Sequence, residues 1–166
     1  MKRWIIGCAV VSLLAFFDAA GHADEGQHAH KKRSAGGHAA SIGMPGNPGD
    51  VTRSIEVEMS DAMRFKPDSV RVKRGETIRF IVRNTGDLVH EMVLGTTDEL
   101  KEHAEEMRKS PGMKHVDPNM VTVEPGKTGE LTWRFTREGK VDFACLQAGH
   151  FEAGMAGEIM VGHEGK

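Results

Sequence analysis

Cysteine is nearly absent from this chain. Its 166 residues hold two, Cys8 and Cys145, and Cys8 lies in an N-terminal stretch that reads as an export signal. Lys2 and Arg3 form a short basic region, Trp4 to Phe17 an apolar one, and Ala19 to Ala23 a small-residue cleavage zone, with the cut placed after Ala23. Removing residues 1–23 leaves Cys145 alone. In a disulfide-permissive compartment an unpaired thiol suggests intermolecular pairing, a reactive group or a metal ligand. The chain also lacks a long apolar run, since Trp4 to Phe17 is too short and too early for a comfortable membrane span. A large excess of charge of one sign is missing too. The net formal charge is −2, or −3 with 20 basic against 23 acidic residues once Lys2, Arg3 and Asp18 are removed. With no basic block beyond Lys31-Lys32-Arg33, nucleic acid and anionic membrane surfaces are set aside as partners.

Residues 24–50 are poor in large apolar side chains and rich in Gly, Ala and His, and Met44-Pro-Gly-Asn-Pro-Gly is turn-prone. This composition predicts a disordered or loosely attached extension. Its His28, His30 and His38 include a His-x-His pair that can chelate Cu(II) or Zn(II) weakly, although a solvated tail with a few chance histidines has the same composition.

From Val51 the pattern becomes alternating and strand-like. Ile55, Val57 and Met59 interleave with polar residues, as do Val70 and Val72, and Ile78, Phe80 and Val82 alternate with Thr77, Arg79, Ile81 and Arg83. Val89–Leu94, Val121 and Val123, Leu131 to Phe135, Val141 to Cys145 and Gly157 to Val161 continue the series. About eight short strands separated by Gly and Pro turns predict an all-β fold, an antiparallel Greek-key β-sandwich. Thr96-Thr97-Asp98-Glu99 breaks the pattern with a capping box, followed by Leu100, His103, Ala104 and Met107 at helical spacing and a stop at Pro111-Gly112. This predicts one short inserted helix. Helix and following loop hold His103, Met107, Met113, His115 and Met120, donors suited to a second copper site, with packing as the simpler role of Met107.

The chemistry concentrates in Val141 to Met155, where Cys145, His150 and Met155 are each separated from the next by four residues. Alternation puts Val141, Phe143 and Cys145 on one strand face, so the thiol points inward and the following loop returns an imidazole and a thioether toward it. Thiolate, imidazole and thioether are soft-to-borderline donors that suit copper better than magnesium or calcium. His90, beside another strand, offers the second imidazole of a two-His, one-Cys site with a weak axial Met. Taken singly, Cys145 reads as a small buried hydrophobe, His150 as a surface residue, Met155 as core and His90 as an ion-pair partner of Glu91. Their joint order at strand ends favours copper. A zinc site would recruit a second thiolate or another His in place of Met, and a Cys-His hydrolase needs an orienting group and an oxyanion site that the loop does not offer.

These residues, Asn84 with Val89-His90, Phe143-Ala-Cys145, His150 and Met155, resemble the cupredoxins, the small blue-copper proteins, over about Val51 to Gly162. Within them the chain is most similar to periplasmic copper-tolerance cupredoxins of the CopI type, in its His- and Met-bearing extension, its Val89-His90-Glu91 strand and its helical insertion. The resemblance implies a cupredoxin domain over 51–162 and one type 1 copper held by His90, Cys145, His150 and Met155. It further implies a periplasmic location, and copper ions together with a redox or copper-transfer protein as partners. One departure stands out. Many cupredoxins follow the first His with Asn, whose amide ties the two ligand loops together, and here Glu91 takes that place. A carboxylate cannot donate unless protonated, so these loops must be locked differently. Copper handling by binding is the favoured function. A one-electron carrier comes second. An enzyme, cuprous oxidase included, is third, because the second copper centre of a multicopper enzyme is not found.

Overall fold

The computed structural model describes residues 41–110 and 116–163. The export signal, His28, His30 and His38 of the extension, and Met113 and His115 of the insertion lie outside them. Two five-stranded sheets face each other. One has the order β1 (Met44–Pro45), β8 (Thr128–Arg134), β5 (Thr77–Asn84), β2 (Arg53–Ser60), β3 (Arg64–Lys66). The other has the order β4 (Ser69–Lys73), β10 (Ala156–Gly162), β9 (Gly139–Ala144), β6 (His90–Gly95), β7 (Met120–Val123). Alternation in the sequence becomes burial at this interface: Val57 and Met59 of β2, Ile78, Phe80 and Val82 of β5, Leu131 and Trp133 of β8, and Val141 and Phe143 of β9 all point into one core. Phe65–Phe143 and Phe80–Phe135 meet edge-on across it, with ring centroids 5.0 and 6.4 Å apart.

Three features differ from the sequence-based expectation. The sandwich is mixed, because β2 pairs parallel with β5 and β4 parallel with β10. After β3 the chain crosses to the opposite sheet as β4 and returns as β5, and such a crossover brings β5 back parallel to β2. There are ten strands among the described residues, the extra two being β1 and β3, too short to show alternation. The third difference lies at the boundary, drawn at Val51 by composition. Ile42 is buried in the core and its carbonyl accepts from the Trp133 indole at 3.3 Å, while Met44 and Pro45 pair with β8. One isoleucine and a two-residue strand are too weak a signal to shift a composition-based boundary.

The inserted helix, α1 (Thr97–Lys109), starts at the predicted capping box. The Thr96 hydroxyl accepts from the Glu99 amide at 3.3 Å, and the Glu99 carboxylate accepts from the Thr96 amide at 2.8 Å. Leu100, Ala104 and Met107 cover the outer face of the second sheet, forming a smaller core with Val93, Ala144 and Leu146. Strand β6 is therefore buried on both faces: Met92 and Leu94 enter the main core and Val93 the one under α1. At its far end α1 reaches the loop after β9, where Phe151 packs against this smaller core and Arg108 pairs with Glu152 at 3.6 Å. Met107 and Met120 thus serve as apolar packing under the helix.

Candidate metal centre

Strand β6 begins at His90 and strand β9 ends just before Cys145, so both side chains sit at the same end of the second sheet. The chain then loops back. Its turns are held by His150 N–H to Gln147 O at 2.9 Å, Ala153 N–H to Gly149 O at 3.1 Å and Gly154 N–H to Phe151 O at 2.9 Å. Gly149 and Gly154 both have φ 88°, the left-handed region that glycine enters without steric cost. Met155 closes the loop, donating its amide to His150 O at 3.0 Å while its carbonyl accepts from Cys145 N–H at 3.1 Å. From the other sheet, the Arg64 guanidinium donates to the Ala153 and Gly154 carbonyls at 3.1 and 3.4 Å.

This framework brings three donors to one point. Cys145 Sγ lies 3.2 Å from His150 Nδ1 and 3.8 Å from His90 Nδ1, and the two Nδ1 atoms are 3.2 Å apart. Among the described residues, His90, Cys145 and His150 form the group of histidine, cysteine and carboxylate side chains able to hold a metal ion. An ion bound at about 2.0–2.3 Å to imidazole and thiolate would set its donors about 3.3–3.8 Å apart, and the edges of 3.2, 3.2 and 3.8 Å lie at or just below that range. Met155 is fully buried in the core cluster that includes Cys145, tied by its backbone to two of the three donor residues.

Electrostatics prepare the donors differently. Burial pushes the Cys145 thiol up to about 12, while the Glu91 amide, donating to Sγ at 3.4 Å, works in the opposite sense. Burial and then the neighbouring His90 hold the His150 imidazole below its ordinary value, so this ring is neutral near pH 7. The thiol is the group that must give up a proton to bind a metal ion. Loading with Cu(II) at pH 7 is therefore expected to release about one proton per copper, measured by calorimetry in buffers of different ionisation enthalpy. Release near zero would remove the thiol from the ligand set.

Glu91 shows how the loops are tied without an asparagine amide. Its side chain is buried, with Oε1 accepting from the Leu146 amide at 3.2 Å and Oε2 accepting from Gln147 Nε2 at 2.9 Å. The direction of the hydrogen bond is reversed: the β6 residue accepts and the ligand loop donates. A further contact was not anticipated from sequence. Asp61 Oδ1, from the turn between β2 and β3, lies 2.9 Å from Nε2 of the fully buried His90. The Asp87 amide, and then His90, hold the Asp61 carboxyl below its usual value, so it is ionised and can only accept. His90 accordingly donates from Nε2 to Asp61, which leaves its Nδ1 facing the donor triangle. Separation of 29 residues hid this pair; the Asp61-Gly86 packing that fixes it is visible only in three dimensions.

Comparison with known proteins agrees with this architecture. Residues 51–162 match the family described as copper binding proteins, plastocyanin/azurin family. The chain is 48% identical over 165 residues to the copper-resistant cuproprotein CopI of Rubrivivax gelatinosus, covering 97% of this chain and 99% of that protein. It is 39% identical over 153 residues to the protein of the same name from Pseudomonas aeruginosa, covering 75% and 84%. Among solved structures, auracyanin from Roseiflexus castenholzii superposes with a TM-score of 0.58 at 21% identity, over 67% of this chain and 98% of that one. An azurin from Methylomonas sp. strain J gives 0.52 at 18% identity, over 69% and 100%. At these identities the structural likeness establishes the fold, a cupredoxin sandwich.

Proposed function

Because the chain belongs to the plastocyanin/azurin family of copper-binding proteins and is a cupredoxin of the CopI type, we propose that it is exported and protects against excess periplasmic copper by binding it. In this reading residues 1–23 are the export signal, and a His-bearing extension leads into the copper domain, whose family match spans 51–162 and whose sandwich also takes in Ile42, Met44 and Pro45. His90, Cys145 and His150 hold one copper, with Met155 as the weak axial donor. The observation that carries the copper site is the convergence of two imidazole nitrogens and one buried thiol within 4.8 Å. A two-His, one-Cys set with an axial thioether tolerates both Cu(II) and Cu(I). The role in tolerance is supported by likeness to copper-resistance proteins along nearly the whole chain.

Growth on graded copper tests this role. A strain lacking the protein is expected to lose tolerance and to regain it with the wild type and not with Cys145→Ser. Rescue by Cys145→Ser would move the protective function to other donors. A cuprous-oxidase contribution would appear as oxygen uptake on adding Cu(I), absent in that variant.

A second reading, a soluble one-electron carrier, is favoured by one specific feature. Leu88 is exposed in the loop leading to His90, and His150 and Phe151 are each only half-buried in the ligand loop, so apolar surface flanks the centre, as docking to a redox partner requires. Normal copper tolerance with impaired respiration in the deletion strain would favour this carrier.

A further inference from the structure

Two carboxylates approach the donor triangle, and they are not equivalent. Both Glu91 oxygens are engaged by the ligand loop. Asp61 alone touches a donor ring, and it does so at the nitrogen facing away from the triangle. Its position is fixed from several sides. Asp61 Oδ2 accepts from the Asp87 amide at 2.8 Å and Oδ1 from the Leu88 amide at 3.3 Å. The 84–88 turn that supplies these amides is itself braced by Asn84, whose side chain accepts from the Gly86 amide at 2.9 Å and donates to Leu88 O at 2.7 Å and Val123 O at 2.9 Å. Gly86 leaves just enough room: a Cβ there would lie 2.0 Å from Asp61 Oδ1 and 2.6 Å from its Cγ. A residue three strands earlier in the chain is thus docked against His90 by the 84–88 turn.

We propose that Asp61 is a positioning residue of the copper centre. Its carboxylate fixes His90 as the Nε2–H tautomer, aims Nδ1 at Cys145 and His150, and weights the centre toward Cu(II) over Cu(I). A carboxylate accepting from the remote nitrogen of a ligand imidazole orients the ring and raises its basicity. Negative charge one imidazole away also stabilises the higher metal charge more than the lower. The Asp61 side chain is 37% exposed, so solvent screens part of this charge and the effect is that of one tuned ligand. The inference rests on the copper reading of the site and adds to it a residue that sets the centre's preference for Cu(II).

Asp61→Asn tests it, since the amide keeps the side chain's shape and one acceptor oxygen for His90 Nε2 while removing the charge; its amino group then faces the Asp87 amide, so the melting curve of the metal-free variant is compared with the wild type. The full chain is loaded with Cu(II), and affinities for Cu(II) and Cu(I) are measured by chelator competition alongside the midpoint potential. The variant is expected to bind Cu(II) about tenfold more weakly, with Cu(I) affinity little changed. A tenfold change in the Cu(II)-to-Cu(I) preference corresponds to a rise of about 59 mV for a one-electron couple. Gly86→Ala, which displaces Asp61 without altering it, should raise the potential in the same direction, with the fold of the metal-free protein checked by its melting curve. Wild-type potential and affinities in Asp61→Asn, in a protein that still shows the intense thiolate–copper band, would overturn the assignment. If the wild type itself shows no such band on loading, the copper reading fails first, and the two failures are distinguishable.

Discussion

Cys145→Ser is expected to abolish the intense thiolate–copper absorption expected of the copper-loaded wild type and to lower Cu(II) affinity by at least about 100-fold. Losing a hydrogen-bond partner behind a ligand already costs about 10–100-fold, and this change removes the only sulfur anion of the donor triangle. Serine is close in size but replaces a soft anionic donor with a hard neutral hydroxyl, poorly matched to copper. The metal-free fold should survive. The Cys145 side chain is fully buried, and the new hydroxyl lies within reach of the His150 ring nitrogen that now faces Sγ at 3.2 Å. An unmatched buried hydroxyl would cost about 1–3 kcal/mol, and that hydrogen bond recovers part of it. A titration followed by absorbance, with circular dichroism of the metal-free variant, separates loss of the ligand from loss of the fold. Tight, coloured binding by the serine variant would remove Cys145 from the centre.

Glu91→Ala should produce the second large effect, on stability and copper together. Truncation leaves the Leu146 amide and Gln147 Nε2 without their acceptor. Orphaned buried donors cost about 1–3 kcal/mol each, and Gln147, being half-buried, can turn toward water. A loss of about 2–4 kcal/mol in the metal-free protein is expected by urea denaturation. Copper affinity should fall about 10–100-fold as well, because the same bonds hold the start of the ligand loop against β6. Glu91→Gln should lie between the two. Its oxygen can still accept from the Leu146 amide, but its amino group then faces another donor at Gln147. Equal stability of wild type and the alanine variant would mean that the loop is held by the Arg64 clamp and the Cys145–Met155 closure alone.

Much of this was legible in the chain because it is local. Alternation marked the long strands, the capping box marked α1, and the spacing of Cys145 and His150 marked a loop that returns an imidazole to the thiol. What stayed hidden depends on topology. Periodicity carries no strand direction, so the parallel β2–β5 and β4–β10 pairs could not be read. Nothing near Asp61 in sequence signals a contact with His90, since their meeting requires the β2–β3 turn and the 84–88 turn to share one end of the sandwich. Glu91 stood out as a departure from the Asn of many cupredoxins, and its chemistry excluded donation, but the acceptor role became visible only with Leu146 and Gln147 placed opposite it. Ile42 escaped notice because one apolar residue in a Gly- and Pro-rich stretch has no period.

Strand length at the margins of the sandwich has a consequence for the protein at high concentration. The first sheet ends in β1, of two residues with a proline, and β3, of three residues. The second ends in β4, whose outward positions carry Arg71 and Lys73, and in the four-residue β7. A neighbouring molecule therefore finds few free backbone groups in a row to pair with, and on β4 it meets positive charge. At high local concentration such edges resist pairing edge to edge with a second copy into fibres.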